Sequence, residues 1–188
     1  MERFLSPAIA DLASQLKRGP TRLRLRQLLN IEFLLSVIEP AKGYPADFVC
    51  HAITGYRAPA LRSNGDGTRL LDSDSLVTDL VALAELLSED ADISADDWQG
   101  PVFSIAELAD RFDVSTKTIF RWRRRGLVGW KFRFADRRMR VVFPEQSIRR
   151  FVAQNSDLVH RGTSFSQLSR IERTAVIDRA RALFDEGH

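Results

Sequence analysis

The stretch SIAELADRFDVSTKTIFRWRRR, residues 104–125, leaves its chain few choices of local fold. Ser104 with Glu107 three residues on makes a capping box, in which hydroxyl and carboxylate satisfy orphan backbone donors at a helix start. Ile105, Leu108, Ala109 and Phe112 follow at helical spacing and define one buried face. Val114 plugs the turn that comes next, and Ser115 is placed to cap a second helix. In that helix Ile119 and Trp122 face inward, while Thr116, Lys117, Thr118, Arg121, Arg124 and Arg125 point outward or flank. Small Ala109 lets the two helices approach closely.

Two short helices, a tight turn and a basic second helix form the helix-turn-helix pattern, whose second helix normally enters the DNA major groove. The turn position often held by glycine is Asp113 here, which tolerates a left-handed backbone less well than glycine but better than most residues. An ordinary helical hairpin with a solvated basic face is the competing reading. Agreement between the buried pattern and the charge favours DNA.

Net charge conceals how that charge is distributed. The chain as a whole is only +3. From Lys117 to Arg150, however, twelve basic residues stand against Asp136 and Glu145, a local balance of +10. From Leu70 to Asp97 there are nine acidic residues and no basic one. A concentrated cationic field suits a polyanion, through phosphate contacts and counterion release.

After Arg125, Gly126 supplies a helix stop and the period changes to two. Trp130, Phe132 and Phe134 alternate with Lys131 and Arg133; beyond a polar turn, Met139, Val141 and Phe143 alternate with Arg140 and Val142. This predicts a β-hairpin with a basic outer face. A hairpin directly after such a helix is a wing, and Arg137 and Arg138 at its tip would reach a phosphate or a minor groove. The plainer alternative is a solubilised hairpin edge. Pro144 opens a further helix to about Gln154, with Ile148, Phe151 and Val152 inward, and residues 155–164 read as a polar link. A last amphipathic helix starts at Ser169 and carries Val176, Ile177, Ala180, Leu183 and Phe184 on one face.

The first half of the chain reads as helices. Residues 8–16 form a short one closed by Gly19 and Pro20. A longer one runs from about Thr21 to Ile38, with a solvated start at Arg22, Arg24 and Arg26 and a buried C-terminal half. A weak helical pattern follows within residues 44–59, then a flexible loop at 62–68. A strong helix spans about Ser75 to Leu87, and the acidic segment 88–100 reads as a domain boundary. The expected fold is mainly α. A helical domain, 1–97, serves as an interaction module; a winged helix-turn-helix with one β-hairpin occupies 101–155; a C-terminal amphipathic helix occupies 164–188.

Residues 104–152 resemble the winged helix-turn-helix of the MerR and excisionase-like families. The matching residues are Ser115-Thr116 leading into Ile119, Arg121 and Trp122, then Arg125-Gly126-Leu127, the strand, and Phe143-Pro144 before the closing helix. More broadly, the order of YPADFVCHAITGYR, the acidic leucine-rich helix, VSTKTIFRWRRRGLV and FSQLSRIERTAVIDRARALF resembles the N-terminal portion of sigma-factor-like proteins of planctomycete bacteria. In such proteins a further DNA-reading region lies after this tail. The resemblance therefore implies a fragment, or a shortened relative without promoter-melting ability of its own. It also implies RNA polymerase as a partner, and MerR-like proteins often form homodimers through a helix after the winged unit.

The expected function is a DNA-binding transcriptional regulator or sigma-factor-like protein. Thr116, Lys117, Thr118 and Arg121 would meet base edges and nearby phosphates of double-stranded DNA. Arg123, Arg124, Arg125, Lys131, Arg133, Arg137, Arg138 and Arg140 would mainly hold the backbone. The alternative is an adaptor whose acidic helical half engages RNA polymerase or a regulator. An enzyme is not expected: His51, His160 and His188 are scattered without metal spacing, no glycine-rich phosphate loop occurs, and Cys50 is alone. No catalytic residue, metal or cofactor is assigned. LLNIEFLLSVI is too short and too interrupted to span a bilayer, and the N-terminus carries no signal-peptide pattern, so the expected location is cytoplasmic.

Overall fold

Helix α1 (Pro7–Lys17) starts on a proline, where the missing N–H costs nothing, and buries Ile9, Leu12, Ala13 and Leu16 on one face. After a 3-10 turn (Thr21–Leu23) comes α2 (Arg24–Val37). The computed structural model describes residues 4–56, 70–164 and 179, and what it describes is mainly helical with small sheets. Strand β1 (Gly43–Pro45) leads into α3 (Ala46–Thr54), which ends on Gly55 in a left-handed turn at φ 71°. Strand β2 (Leu70–Asp72) pairs antiparallel with β1 and places Asp72 to cap α4 (Ser73–Ala91), its carboxylate accepting from Ser75 N at 2.9 Å. Helix α4 is longer at both ends than its leucine stripe suggested. Its polar last turn is held by other parts of the chain rather than by its own periodicity.

The remaining elements are β3 (Ile93–Ser94), β4 (Val102–Phe103), α5 (Ile105–Arg111), α6 (Thr116–Arg123), β5 (Trp130–Arg133), β6 (Met139–Pro144), α7 (Glu145–Gln154) and α8 (Ser156–Ser164). Four strands form one sheet in the order β3-β5-β6-β4, with β3 parallel to β5 and the other pairs antiparallel. The expected hairpin is present, but its register corrects the expected faces: Trp130 lies opposite Val142 and Phe132 opposite Arg140, so Arg140 shares a face with Phe132 rather than with Lys131 and Arg133.

That hairpin lies between two cores. Trp130, Phe132 and Val142 join the leucine-rich core of α1–α4. Phe143 instead joins Leu108, Ala109, Ile119, Trp122, Leu127, Ile148 and Phe151 in a second, smaller core. Pleat alternation sends the adjacent residues Val142 and Phe143 to opposite faces, so one strand serves both.

Three expectations are corrected here. Segment 88–100 is no boundary: Ser88 is buried and its Oγ accepts from Lys131 N at 2.8 Å, while β3 pairs with β5. Trp98 then closes edge-on over Trp130 and Phe132, at 5.4 and 5.3 Å between ring centres. Residues 155–164 are no polar link, because α8 occupies them and buries Val159 in the second core. The start of α2 is not wholly solvated either. Arg24 is buried; its guanidinium donates to the carbonyls of Leu16 and Gly19 and to Gln27, and lies 3.7 Å from Asp90. The Leu16 carbonyl belongs to the last turn of α1, where cations are favoured. The flexible loop at 62–68 and the helix from Ser169 lie outside the described residues.

A buried carboxylate locks the two cores together. Glu32 on α2 accepts from Trp130 Nε1 at 3.2 Å, from Ser147 Oγ, and from Arg150 Nε at 2.6 Å. Arg150 also donates to Gly126 O at 2.8 Å, and Gln154 Nε2 donates to Leu35 O at 2.8 Å. Thus α7 is tied to α2 and to the turn after α6 by one continuous network.

Candidate nucleic-acid interface

The capping box at the start of α5 forms as the sequence demands: Ser104 N donates to Glu107 at 2.7 Å, and Glu107 N donates to Ser104 Oγ at 3.2 Å. The Ser104 backbone N–H, and after it the Ser104 side chain, hold the Glu107 carboxyl below its ordinary pKa. The α5–α6 turn passes through the left-handed region at Asp113, φ 49°, and Val114 N closes back on Ala109 O at 3.0 Å. Ser115 caps α6 by accepting from Thr118 N at 3.2 Å. Ile119 and Trp122 are buried, with Trp122 edge-on to Phe112 at 5.4 Å and beside Phe151 at 5.8 Å. This packing fixes the rotation of α6 about its axis.

What the rotation leaves outside is basic. Thr116, Lys117, Arg121, Arg124 and Arg125 are exposed, and the four cations make no ion pair among the described residues. Phe120 stands among them at 49% exposure. Sequence reasoning misses this residue, although its position three after Lys117 and four before Arg124 places it on the same helical face. Thr118 is a correction. It is half-buried, its hydroxyl lies 3.0 Å from Ser115 Oγ, and α8 crosses it at Gly162, where an added Cβ would come 3.0 Å from the Trp122 ring. Its work is at the helix cap.

Arg121, Arg124 and Arg125 also line an open groove of about 770 Å³ between α6 and α8, with Arg161 on the far wall and Val114, Trp122 and Leu158 on the floor. At the hairpin turn, Arg137 and Arg138 are exposed and make no ion pair among the described residues. Arg137 sits at φ 62°, in a left-handed position that glycine would occupy without cost, and its N donates to Phe134 O at 2.8 Å.

The other expected phosphate contacts are differently employed. Arg123 pairs with Glu85, Lys131 with Glu89 at 2.7 Å and Arg133 with Asp92 at 2.7 Å. All three acids come from α4 or its cap. The basic residues of β5 are therefore paired with acids of α4 and its cap, Lys131 largely enclosed and Arg133 still 42% exposed. Arg140 pairs with Asp136 across the turn and lies over the Phe134 ring at 4.9 Å.

Among the described residues no group of three or more His, Cys, Asp or Glu is placed to hold a metal ion. Burial, and then the charge of Asp47, pushes the Cys50 thiol above its ordinary pKa, away from the thiolate a nucleophile needs. Among the described residues no helix is long and apolar enough to cross a membrane. No protein-family model matches this chain, and comparisons with curated proteins and with solved structures also found no match.

Proposed function

We propose that the chain binds double-stranded DNA, with α6 as the recognition helix of a winged helix-turn-helix and the β5–β6 turn as its wing, and that it acts in transcription. One observation carries the reading: α6 is pinned by Ile119 and Trp122 while its opposite face offers Lys117, Arg121 and the C-cap Arg124, with Arg125 in the turn that follows, all without an acidic partner among the described residues. A cationic helix face held rigidly on a two-helix unit matches how such helices meet a major groove. Arginine there pairs bidentately with guanine, and Phe120 offers an apolar surface to a thymine methyl.

Arg137 supports the same reading. Holding a non-glycine residue left-handed costs about 1 kcal/mol, and such strain concentrates where a side chain is needed. The interface is thus smaller than the sequence proposed: Lys117, Phe120, Arg121, Arg124, Arg125, Arg137 and Arg138, with Thr116 at the helix start. The MerR-like and sigma-factor-like resemblances, a cytoplasmic location and a polymerase partner belong to this proposal.

The adaptor alternative rests on the acidic segment, of which Asp74, Asp96 and Asp97 are exposed. Glu85, Glu89 and Asp92 already bind cations of the same chain, so a basic partner would have to displace them. The deciding experiment is a salt titration of binding to mixed-sequence duplex DNA, in which each phosphate contact adds about 0.9 to the log–log slope. Absence of binding at low salt would sink the proposal. So would binding that ignores Arg121→Ala and Arg124→Ala together.

A further inference from the structure

The groove between α6 and α8 is lined by cations of one kind. Arg121, Arg124 and Arg125 stand on the α6 side, and Arg161 stands across from them on α8. Arg161 is anchored there, its Nε donating to the carbonyl of Asp157 on its own helix at 3.2 Å. Among the described residues no acid lines the groove, and its two hydroxyls, Ser115 and Thr118, lie 3.0 Å apart and bond to each other. Between the guanidinium groups the surface is apolar, with Val114 and Leu158 half-buried against the smaller core.

Lysine would serve a simple anion, but arginine does two further things. Its planar fork takes a carboxylate through two parallel hydrogen bonds, and its flat face stacks on aromatic rings. The space of about 770 Å³ falls within the range of about 300–1,000 Å³ that small-molecule sites occupy. Cationic walls over an apolar floor, with no acid between them, suit a ligand that is anionic at one end and apolar at the other. We infer that the groove binds an aromatic carboxylate, its charge forked by arginine and its ring laid on the floor between α6 and α8.

Three of these four arginines belong also to the proposed duplex interface. A carboxylate held by Arg121, Arg124 and Arg125 occupies cations that would otherwise meet phosphate, so ligand and duplex oppose each other. Each weakens the other by the same factor, because a coupling free energy is reciprocal. Binding in the groove stands on its own geometry; only this opposition rests on the DNA reading.

The test is calorimetric titration of cinnamate into the full chain at low salt, first without DNA. Saturable binding at one site is expected. Cinnamylamine, which has the ring and the opposite charge, and acetate, which has the charge and no ring, should each bind at least about 10-fold more weakly. Arg161→Ala should weaken cinnamate about 10-fold or more, as the loss of a charged hydrogen bond does. Arg125→Ala, in the turn after α6, should show the same loss, and circular dichroism should show both variants folded. Arg149→Ala removes an exposed arginine of α7 that does not line the groove, and should leave cinnamate binding unchanged.

Acetate or cinnamylamine binding as tightly as cinnamate overturns the inference, since charge or apolar surface alone would then suffice. So does a titration that never saturates, or an affinity indifferent to both groove variants. Duplex DNA is then added. A chain that binds cinnamate but no duplex sinks the proposed function and leaves the site standing; one that binds duplex but no cinnamate does the reverse. Binding of both without mutual weakening overturns their opposition.

Discussion

Arg121 and Arg133 lie twelve residues apart in the same cationic run, yet they live in different electrostatic worlds. Arg133, with Lys131 and Arg123, faces α4 and is neutralised by Asp92, Glu89 and Glu85. Arg121, with Lys117, Arg124 and Arg125, faces outward with no acidic partner among the described residues. The comparison teaches that charge counted along a chain is not charge available to a ligand. The +10 segment and the acidic segment suggest opposite tasks, yet several of their charges meet face to face in one internal contact.

The strongest test attacks the junction that ties α2 to the sheet and to α7. Glu32→Ala leaves the largely enclosed Arg150 without its carboxylate and Trp130 Nε1 and Ser147 Oγ without their acceptor, and removing one member of a buried pair costs about 3–5 kcal/mol. Chemical denaturation should show this loss; a cost under about 1 kcal/mol, the scale of an exposed pair, would mean that the two halves do not depend on the Glu32 network.

Next come the two cation sets themselves. Arg121→Ala should reduce duplex affinity by about 1–3 kcal/mol, and Arg133→Ala by much less, because its charge is already spent. Equal effects in a binding titration would erase the distinction. At the β5–β6 turn, Arg137→Gly separates shape from charge. It should leave thermal stability unchanged or raise it by up to about 1 kcal/mol while lowering the salt slope by about one.

A subtler test frees the spent charges. Glu85→Gln with Glu89→Gln releases Arg123 and Lys131, and half-exposed pairs of this kind are worth about 0.2–1 kcal/mol. Stability should fall slightly while affinity for duplex rises. A fall in both would show that the acids hold the proposed interface in place rather than mask cations.

The smallest effects are those of pH. Asp72 and Glu107, held below the ordinary carboxylate range by backbone N–H bonds, stabilise as anions. Their contribution is complete above the unfolded pKa and is lost as pH falls through the lower folded value. Asp79 has the opposite sign. Buried beneath the N-terminal segment, it accepts from Leu5 N at 2.7 Å and Ser6 N at 2.8 Å, but burial outweighs those bonds and raises its pKa. Its protonated form is favoured on folding, so its share of stability is lost as pH rises through that raised value. Thermal unfolding across the acid range should therefore show Asp72→Ala and Asp79→Asn changing the pH profile in opposite directions.

Much of this was legible in the residues. Local chemistry was sufficient for the Ser104–Glu107 box, the Ser115 cap, the left-handed Asp113, the inward Ile119 and Trp122, and the period-two hairpin. Each depends on partners within a few positions. Phe120 was legible too, by helical spacing, but a search for cations alone passes over it. What no window of sequence contained was pairing across long separations: β3 beside β5, Trp98 over Trp130, Glu32 beneath Arg150, α8 across Thr118.

Sequence by itself thus determined which residues cap, turn and alternate, since backbone hydrogen bonding and side-chain period are settled within one or two helical turns. Tertiary structure alone decided which cations remain available, because an arginine is neutralised by whatever carboxylate folding brings within a few ångströms. That neighbour here lies about forty residues away along the chain, at Glu85, Glu89 and Asp92.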